Sequence, residues 1–275
     1  PRYRLWKRRQ MGLKLKLPKI HFIFPRLVFT SFILFILSSS IFFYLYILKH
    51  LPNPHELITR PKVLTTKIYA RDGSLLYKIY RNQNRTLITL AKLPPHLINA
   101  TIAAEDKNFW KHPGFSAQGI IRAFKTNISD DALSQGGSTI TQQLVKNALL
   151  SSEKTFTRKL KEVILAIEVE LMFNKHEILQ MYLNEIPYGG VAYGVEEASQ
   201  SYFGKSAKDL NIAEAALLSG LPVAPTKYSP FGANPSWAVY RQRQVLKSML
   251  DAQYISLHEY NEALKAKIVL NPPKY

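Results

Sequence analysis

Gly136-Gly-Ser-Thr-Ile-Thr-Gln-Gln-Leu-Val-Lys146-Asn147 joins a turn to a helix. Two glycines open a tight turn without Cβ atoms, and Ser138 and Thr139 stand where a helix N-cap belongs. Thr139 and Gln142 have capping-box spacing, and the apolar residues that follow recur at helical intervals. A helix that starts this way directs free backbone N–H groups and a positive dipole end outward, which suits a phosphate. Lys146, two turns on, adds a full positive charge. A Glu105-Asp106 pair precedes the stretch, and a charged helix with Lys159 and Glu162 follows it. An anion-holding element combined with isolated carboxylates points to group transfer from a phosphorylated donor.

Charge is spread unevenly. Of the net +18, nine charges come from Lys and Arg within residues 1–26, which hold no Asp or Glu, so half of the excess remains elsewhere. Leu27 to Leu48 is an uncharged apolar run (LVFTSFILFILSSSIFFYLYIL), and a spanning helix needs roughly 20 such residues. It is longer than the core of a cleaved signal peptide, and no small-residue cleavage site follows. Its basic flank predicts a cytoplasmic N-terminus and an extracytoplasmic remainder after about Lys49, with Tyr44 and Tyr46 as interfacial anchors. Position therefore assigns the basic excess to lipid and phosphate and not to nucleic acid. The chain has no cysteine, so disulfides and thiolate chemistry are excluded.

Four regions follow: a basic cytoplasmic segment (1–26), a transmembrane helix (27–48), a linker with a small β element (49–93) and a helical domain (94–270). Pro52, Pro54 and Pro61 predict a stiff, non-helical connector. The Asp72-Gly73 turn, between Lys67 to Ala70 and Leu75 to Tyr80, predicts a hairpin, with a third strand at Thr86 to Leu90. Beyond Pro94 the patterns predict helices over 95–110, 139–150, 156–174, 175–185, 192–203, 211–219, 235–253 and 256–267. In the 156–174 helix, Leu160, Val163, Ile164, Ile167 and Leu171 make one apolar stripe. At about 100° per residue, this sends Glu162 and Lys159 out from the polar side, toward solvent or a cleft.

Each chemical feature taken alone has an ordinary reading. Glu105-Asp106, after Ile98-Asn-Ala-Thr-Ile-Ala-Ala and before Phe109, Trp110 and His112, fits a desolvated general base, though a solvated helix end is the commoner meaning of such a pair. Arg158–Glu162 and Lys159–Glu162 are also the spacings of surface ion pairs. Phe115 to Phe124 (FSAQGIIRAF) mixes Ile120, Ile121 and Phe124 with Arg122, as a bilayer-dipping element would, and fits a short core helix equally well. Ser151-Ser-Glu-Lys154 has the Ser-x-x-Lys pattern of a transpeptidase, but no Lys-Thr-Gly follows it.

Order and spacing carry more than any single block. Glu105-Asp-Lys-Asn-Phe109-Trp-Lys-His112-Pro-Gly114, Gly136 to Asn147, and Arg158-Lys159-Leu-Lys-Glu162 resemble, in sequence and order, motifs of family 51 glycosyltransferases. So do Glu177-Ile-Leu-Gln-Met-Tyr182-Leu-Asn184-Glu185-Ile-Pro-Tyr-Gly189 and Gly194-Val-Glu-Glu-Ala-Ser-Gln-Ser-Tyr202-Phe203-Gly204-Lys205. These are the peptidoglycan glycosyltransferase domains of class A penicillin-binding proteins and of monofunctional enzymes. The resemblance covers about residues 62–270, and Gly220-Leu-Pro-Val-Ala-Pro-Thr-Lys-Tyr-Ser-Pro is similar to the bifunctional proteins, of which the chain reads as a fragment.

The resemblance implies a mainly α, lysozyme-like, two-lobed domain that polymerises lipid II with inversion. By it, Glu105 is the general base toward the acceptor 4-hydroxyl, and Glu162 is a second catalytic carboxylate at the leaving group. Lys146, Lys159, Arg158, Ser138, Thr139, Gln143 and Asn147 line the pyrophosphate and substrate site, while Asp106, Phe109 and His112 order the first block. No cofactor is required by this reading. It assigns no metal ligands but leaves room for a divalent cation (Mg or Mn) beside Glu162. The implied partners are lipid II, the growing glycan chain, membrane lipid and other proteins of wall synthesis, at a bacterial plasma membrane. The rivals are a membrane-bound lytic transglycosylase, which has no use for a phosphate pocket, and a non-enzymatic wall-binding scaffold.

Overall fold

The computed structural model describes residues 20–116, 137–151, 153 and 155–272, with side chains from residue 26 onward. The chain forms two compact units, residues 1–50 and 51–275. In the first, α1 (Ile20–Tyr46) is apolar on every side. The span Arg26–His50, which takes in most of α1 and the turn after it, is long and apolar enough to cross a membrane, with only 6% of its most apolar window buried.

The second unit is mainly helical. A four-residue helix α2 (Glu56–Thr59) interrupts the connector that the prolines predict as non-helical. Strands β1 (Thr66–Tyr69) and β2 (Leu75–Ile79) form the expected hairpin. Gly73 takes φ +83°, and the Ser74 N–H donates to Asp72 Oδ1 at 2.9 Å. The expected third strand is displaced. Asn84–Arg85 form β3, which pairs in parallel with β5 (Ala192–Tyr193), and β5 also pairs antiparallel with β4 (Pro187–Gly189). What moves it is charge. Glu197 is fully buried and accepts from Lys78 Nζ, from Asn84 Nδ2 at 2.7 Å and from Thr86 Oγ1 at 2.8 Å. Glu185, also buried, pairs with Arg60 and with Arg85 Nη1 at 2.7 Å. Buried carboxylates need such partners, and they draw residues 60–86 onto the helical body.

The helices fall into two packed groups. In one, α3 (Pro95–Glu105) packs against α8 (Ile212–Ser219) and α10 (Ser236–Asp251), with α11 (Leu257–Lys265) alongside. In the other, α4 (Ile140–Leu149) packs against α5 (Phe156–Met172) and α6 (Lys175–Glu185). Helix α7 (Val195–Phe203) and the short α9 (Pro225–Tyr228) join them. One continuous apolar core runs through both, from Leu97 and Ile102 of α3 through Leu144, Leu165 and Tyr182 to Leu218 and Leu246.

Two expectations are corrected here. Helix α3 ends at Glu105 and not at residue 110, because Asp106 leaves helical geometry (φ −157°) to serve other partners. Helix α5 buries the face opposite the predicted stripe: Glu162, Leu165, Ala166 and Val169 face the core, while Leu171 is 82% exposed. The outward face carries five apolar residues, whereas the buried face carries Leu165, Ala166 and Val169 around the charged Glu162, so periodicity alone favours the wrong face. Close approach chose. Gly114 (φ +84°) packs so tightly on Ala166 that an added Cβ would lie 2.7 Å from its carbonyl oxygen. The predicted element at Phe115 to Phe124 lies almost wholly outside the described residues.

Removing the Glu197 carboxylate leaves Lys78 and Asn84 without their shared partner. Glu197→Ala is expected to lower unfolding free energy by about 3 kcal/mol, read as a fall in the urea midpoint of the chain in detergent. An unchanged midpoint would show that this contact does not hold residues 67–86 in place.

Candidate active site

Glu105 ends α3 where the two helical groups meet. Its Oε2 accepts from Gln143 Nε2 of α4 at 2.6 Å. Its Oε1 is shielded from solvent and has no hydrogen-bond partner among the described residues. Burial pushes the carboxyl above the ordinary glutamate range. The Gln143 hydrogen bond and the charges of Arg241 and Lys146 oppose that rise, and neighbouring Asp106 adds to it. A carboxyl raised in this way suits proton abstraction better than an ordinary glutamate does.

Asp106 does different work. Its Oδ2 accepts from the Ile140 N–H at 3.0 Å, and both oxygens lie 2.9 Å from His112 Nε2. The Gly114 N–H donates to His112 Nδ1 at 3.1 Å, so the ring proton sits on Nε2 and points to Asp106. Thr139 caps α4: Oγ1 accepts from the Gln142 N–H at 3.1 Å and donates to the Gly114 carbonyl at 2.6 Å. Gln142 Oε1 completes the capping box on the Thr139 N–H at 3.0 Å.

The start of α4 is therefore not an open anion site. The N–H groups of Thr139, Ile140 and Gln142 are all taken by side-chain oxygens, and Thr139 is buried. The capping residues that mark the helix in the sequence are the ones that occupy its donors. Phe109, fully buried with Lys175 Nζ 4.6 Å above its ring, is a packing residue. Asp106, His112 and Thr139 likewise shape the site from beneath it.

Positive charge comes instead from side chains. Glu162, on the buried face of α5, accepts from Arg158 Nη1 through Oε1 and from Lys159 Nζ through Oε2 at 3.0 Å. Lys159 Nζ also donates to Ser138 Oγ at 2.7 Å, joining α5 to the turn before α4. Arg158 Nε is buried and has no partner among the described residues, so the cluster holds an unused donor. Lys146 is exposed at the rim, yet desolvation by its neighbours still lowers its pKa. Glu162 opposes that effect and Arg158 and Lys159 reinforce it, while Glu105 is close enough to act on the same amine. Lys146 thus links the acid to the cationic cluster. Asn147 Nδ2 donates to the Gln143 carbonyl at 2.8 Å and is exposed.

A family model described as Transglycosylase matches residues 72–250. The chain belongs to this family. It is 44% identical over 224 residues to penicillin-binding protein 1A of Aquifex aeolicus (strain VF5), covering 82% of this chain and 31% of that protein. It is 45% identical over 203 residues to penicillin-binding protein 1A of Haemophilus influenzae, covering 74% and 24%. A crystal structure of penicillin-binding protein 1A from Haemophilus influenzae aligns with 76% of this chain and 21% of that one, at 30% identity and a TM-score of 0.45, too low to bear on the fold. The chain spans about a third of the length of the first of these relatives. Its helical unit is a peptidoglycan glycosyltransferase domain of family 51, of the class A penicillin-binding protein kind.

Two features of this transglycosylase domain were absent from the sequence reading. Arg241 of α10 is buried and donates through Nη2 to the Ala104 carbonyl at 3.3 Å, directly behind Glu105. Glu170 accepts from Thr141 Oγ1 at 2.5 Å and from Lys175 Nζ at 2.7 Å, and Lys175 also donates to the His112 carbonyl at 2.7 Å, clamping the 106–114 loop. A signal for Arg241 existed: it lies in register with Ala238, Val245 and Met249 on the buried stripe of its helix. A cavity of about 340 Å³, lined by Lys107, Trp110, Lys111 and Tyr254 among others, includes none of the candidate catalytic residues.

Thr139→Ala removes a cap and leaves the Gly114 carbonyl unpaired. It is expected to cost about 2 kcal/mol of stability, seen as a lower Tm, while the KM for a lipid-linked substrate stays within about twofold of wild type for the folded fraction. A large KM rise without a Tm change would return Thr139 to the substrate site.

Proposed function

We propose that the chain polymerises lipid II: it joins lipid-linked disaccharide-peptide units by inverting transfer from a polyprenyl-pyrophosphate-linked chain to the 4-hydroxyl of an acceptor unit. Glu105 Oε1 takes the hydroxyl proton while Gln143 fixes Oε2. The acceptor oxygen bonds to the anomeric carbon as the bond from that carbon to the pyrophosphate oxygen breaks. The electron pair leaves with the polyprenyl pyrophosphate, whose growing negative charge is met by Lys146, Lys159 and the free Nε of Arg158, with Ser138 and Asn147 beside them.

The observation that carries this reading is that α4 joins the two sides: its Gln143 holds Glu105, and Ser138 in the turn before it holds Lys159 of the Arg158–Lys159–Glu162 cluster. One substrate can then meet a base and a set of cations together. A lytic transglycosylase needs the acid alone, so nothing in that rival accounts for the cations.

Glu162 acts by orienting the cations. Each of its oxygens already accepts from a cationic side chain, and among the described residues no group of three or more His, Cys, Asp or Glu could hold a metal ion. A divalent cation at this carboxylate would have to displace Arg158 or Lys159. The apolar helix before residue 51 would anchor the chain with its N-terminus in the cytoplasm, by its basic flank, and place the domain outside. There it would work on membrane-held substrate beside other wall-synthesis proteins.

Labelled lipid II tests the proposal. Glu105→Gln is expected to cut polymerisation by about a hundredfold or more while substrate still binds. Lys159→Gln is expected to lose a comparable amount through the leaving group. Chain shortening with anhydro ends, in place of growth, would establish the lytic reading. Product formation should also fall as pH drops through a limb set above the ordinary carboxylate range, because the base works only when ionised and burial raises its pKa. A limb near pH 4 would contradict this environment for Glu105. Addition of a chelator is expected to leave the rate within about twofold, and a collapse restored by Mg or Mn would overturn the orienting role of Glu162.

A further inference from the structure

Two charges of opposite sign, one half-buried and one buried, meet the end of α3, neither with an ion-pair partner at contact distance among the described residues. One is Glu105, whose only hydrogen-bond donor is the neutral Gln143. The other is Arg241. Its guanidinium donates to the carbonyls of Ala104 (Nη2, 3.3 Å) and Gly220 (Nε, 3.4 Å) and to Gln244 Oε1 (3.3 Å), all uncharged, and lies 5.8 Å from the Tyr228 ring centre. A buried guanidinium that binds only neutral acceptors leaves its charge uncompensated locally. The residue after Ala104 is Glu105.

We infer that Arg241 is a positioning residue for the base: a fixed cation that balances the Glu105 carboxylate through the end of α3 and holds that end against α10. The inference rests on the reading of Glu105 as the general base. The fold makes room for the arrangement. The Arg241 stem passes over Gly220 so closely that an added Cβ would lie 2.8 Å from Arg241 Cγ. The anchoring carbonyls come from two elements, α3 and the residue closing α8, so the charge is set by backbone and not by a mobile side chain.

The other groups facing Glu105 do not replace this cation. Gln143 of α4 is neutral, and Lys146 of α4 is exposed, so solvent screens its charge. Asp106 of α3 repels the carboxylate. Tyr182 of α6 and Tyr188 of β4 are buried phenols, held neutral by burial and by the charge of Glu105 itself. Among the charges acting on Glu105, Arg241 is the larger of the two that favour its ionised form. An opposite charge favours ionisation, so losing it moves the working limb of the base to higher pH.

The test is the pH profile of kcat/KM for lipid II polymerisation by the full chain in detergent, in wild type and in Arg241→Met, Arg241→Gln, Arg241→Lys and Gly220→Ala. The two neutral variants should shift the acidic limb upward by about one pH unit. That is roughly a tenfold loss on the limb, recovered at high pH. Arg241→Lys, which keeps the charge, should return the limb toward wild type. Gly220→Ala, which displaces the stem, should move it upward by less, and this variant decides the matter if the neutral ones do not fold. Equal losses at every pH with an unmoved limb would reduce Arg241 to a packing residue and overturn the inference. Should Glu105→Gln stay active, the base reading fails and takes this one with it. An inactive Glu105→Gln beside an unmoved limb removes the role of Arg241 alone.

Discussion

A carboxylate taken out of water becomes neutral unless charges or donors around it hold the proton off. The end of α3 sets this constraint on two adjacent residues and answers it in two ways. Asp106 is satisfied by the His112 ring and the first N–H of α4, so it becomes a joint between a loop and a helix. Glu105, one residue earlier, receives a single amide on one oxygen and nothing on the other. It is left chemically unfinished. The same joint that satisfies Asp106 brings Gln143 and Lys146 of α4 to Glu105, so the architecture of the first residue builds the reactivity of the second.

The cationic side follows a parallel logic. Glu162 lies on the face of α5 that is pressed inward, where it would be costly alone. Arg158 and Lys159 supply its partners, and in doing so they are held beside Ser138 at the turn before α4. A negative residue beside a pyrophosphate site makes physical sense as the anchor that stops two flexible cations from wandering. The rim position of Lys146 leaves a donor available for a phosphorylated ligand, and the buried Nε of Arg158 is a second donor with no partner among the described residues.

Much of this was legible in the chain, and the failures have a common cause. The cap at Thr139, the Asp72-Gly73 hairpin and the apolar first helix are local signals, and the structure contains all three. The motif blocks all fall within the span 72–250 that the family model matches. What the sequence could not supply was which side of an element faces inward. Helix α5 buries its less apolar face, with Glu162 on it, and the close contact of Gly114 with Ala166 lies on that face. The capping box marks the helix start but not an open anion site, because a side-chain oxygen of residue 106 reaches across 34 positions to take the Ile140 N–H. Arg241 lies further still, 137 positions from the carbonyl it holds. Pairings at such separations leave no local mark.

The central claim is that the acid at residue 105 and the cations at 146, 158 and 159 face one bound substrate. A structure of the chain with a non-reacting, lipid-pyrophosphate-linked disaccharide tests this most directly. The account predicts phosphate oxygens within hydrogen-bond distance of Arg158 Nε and the two lysine amines, with a sugar hydroxyl at Glu105 Oε1. Phosphates bound elsewhere, with Arg158 Nε still unpartnered, would contradict it.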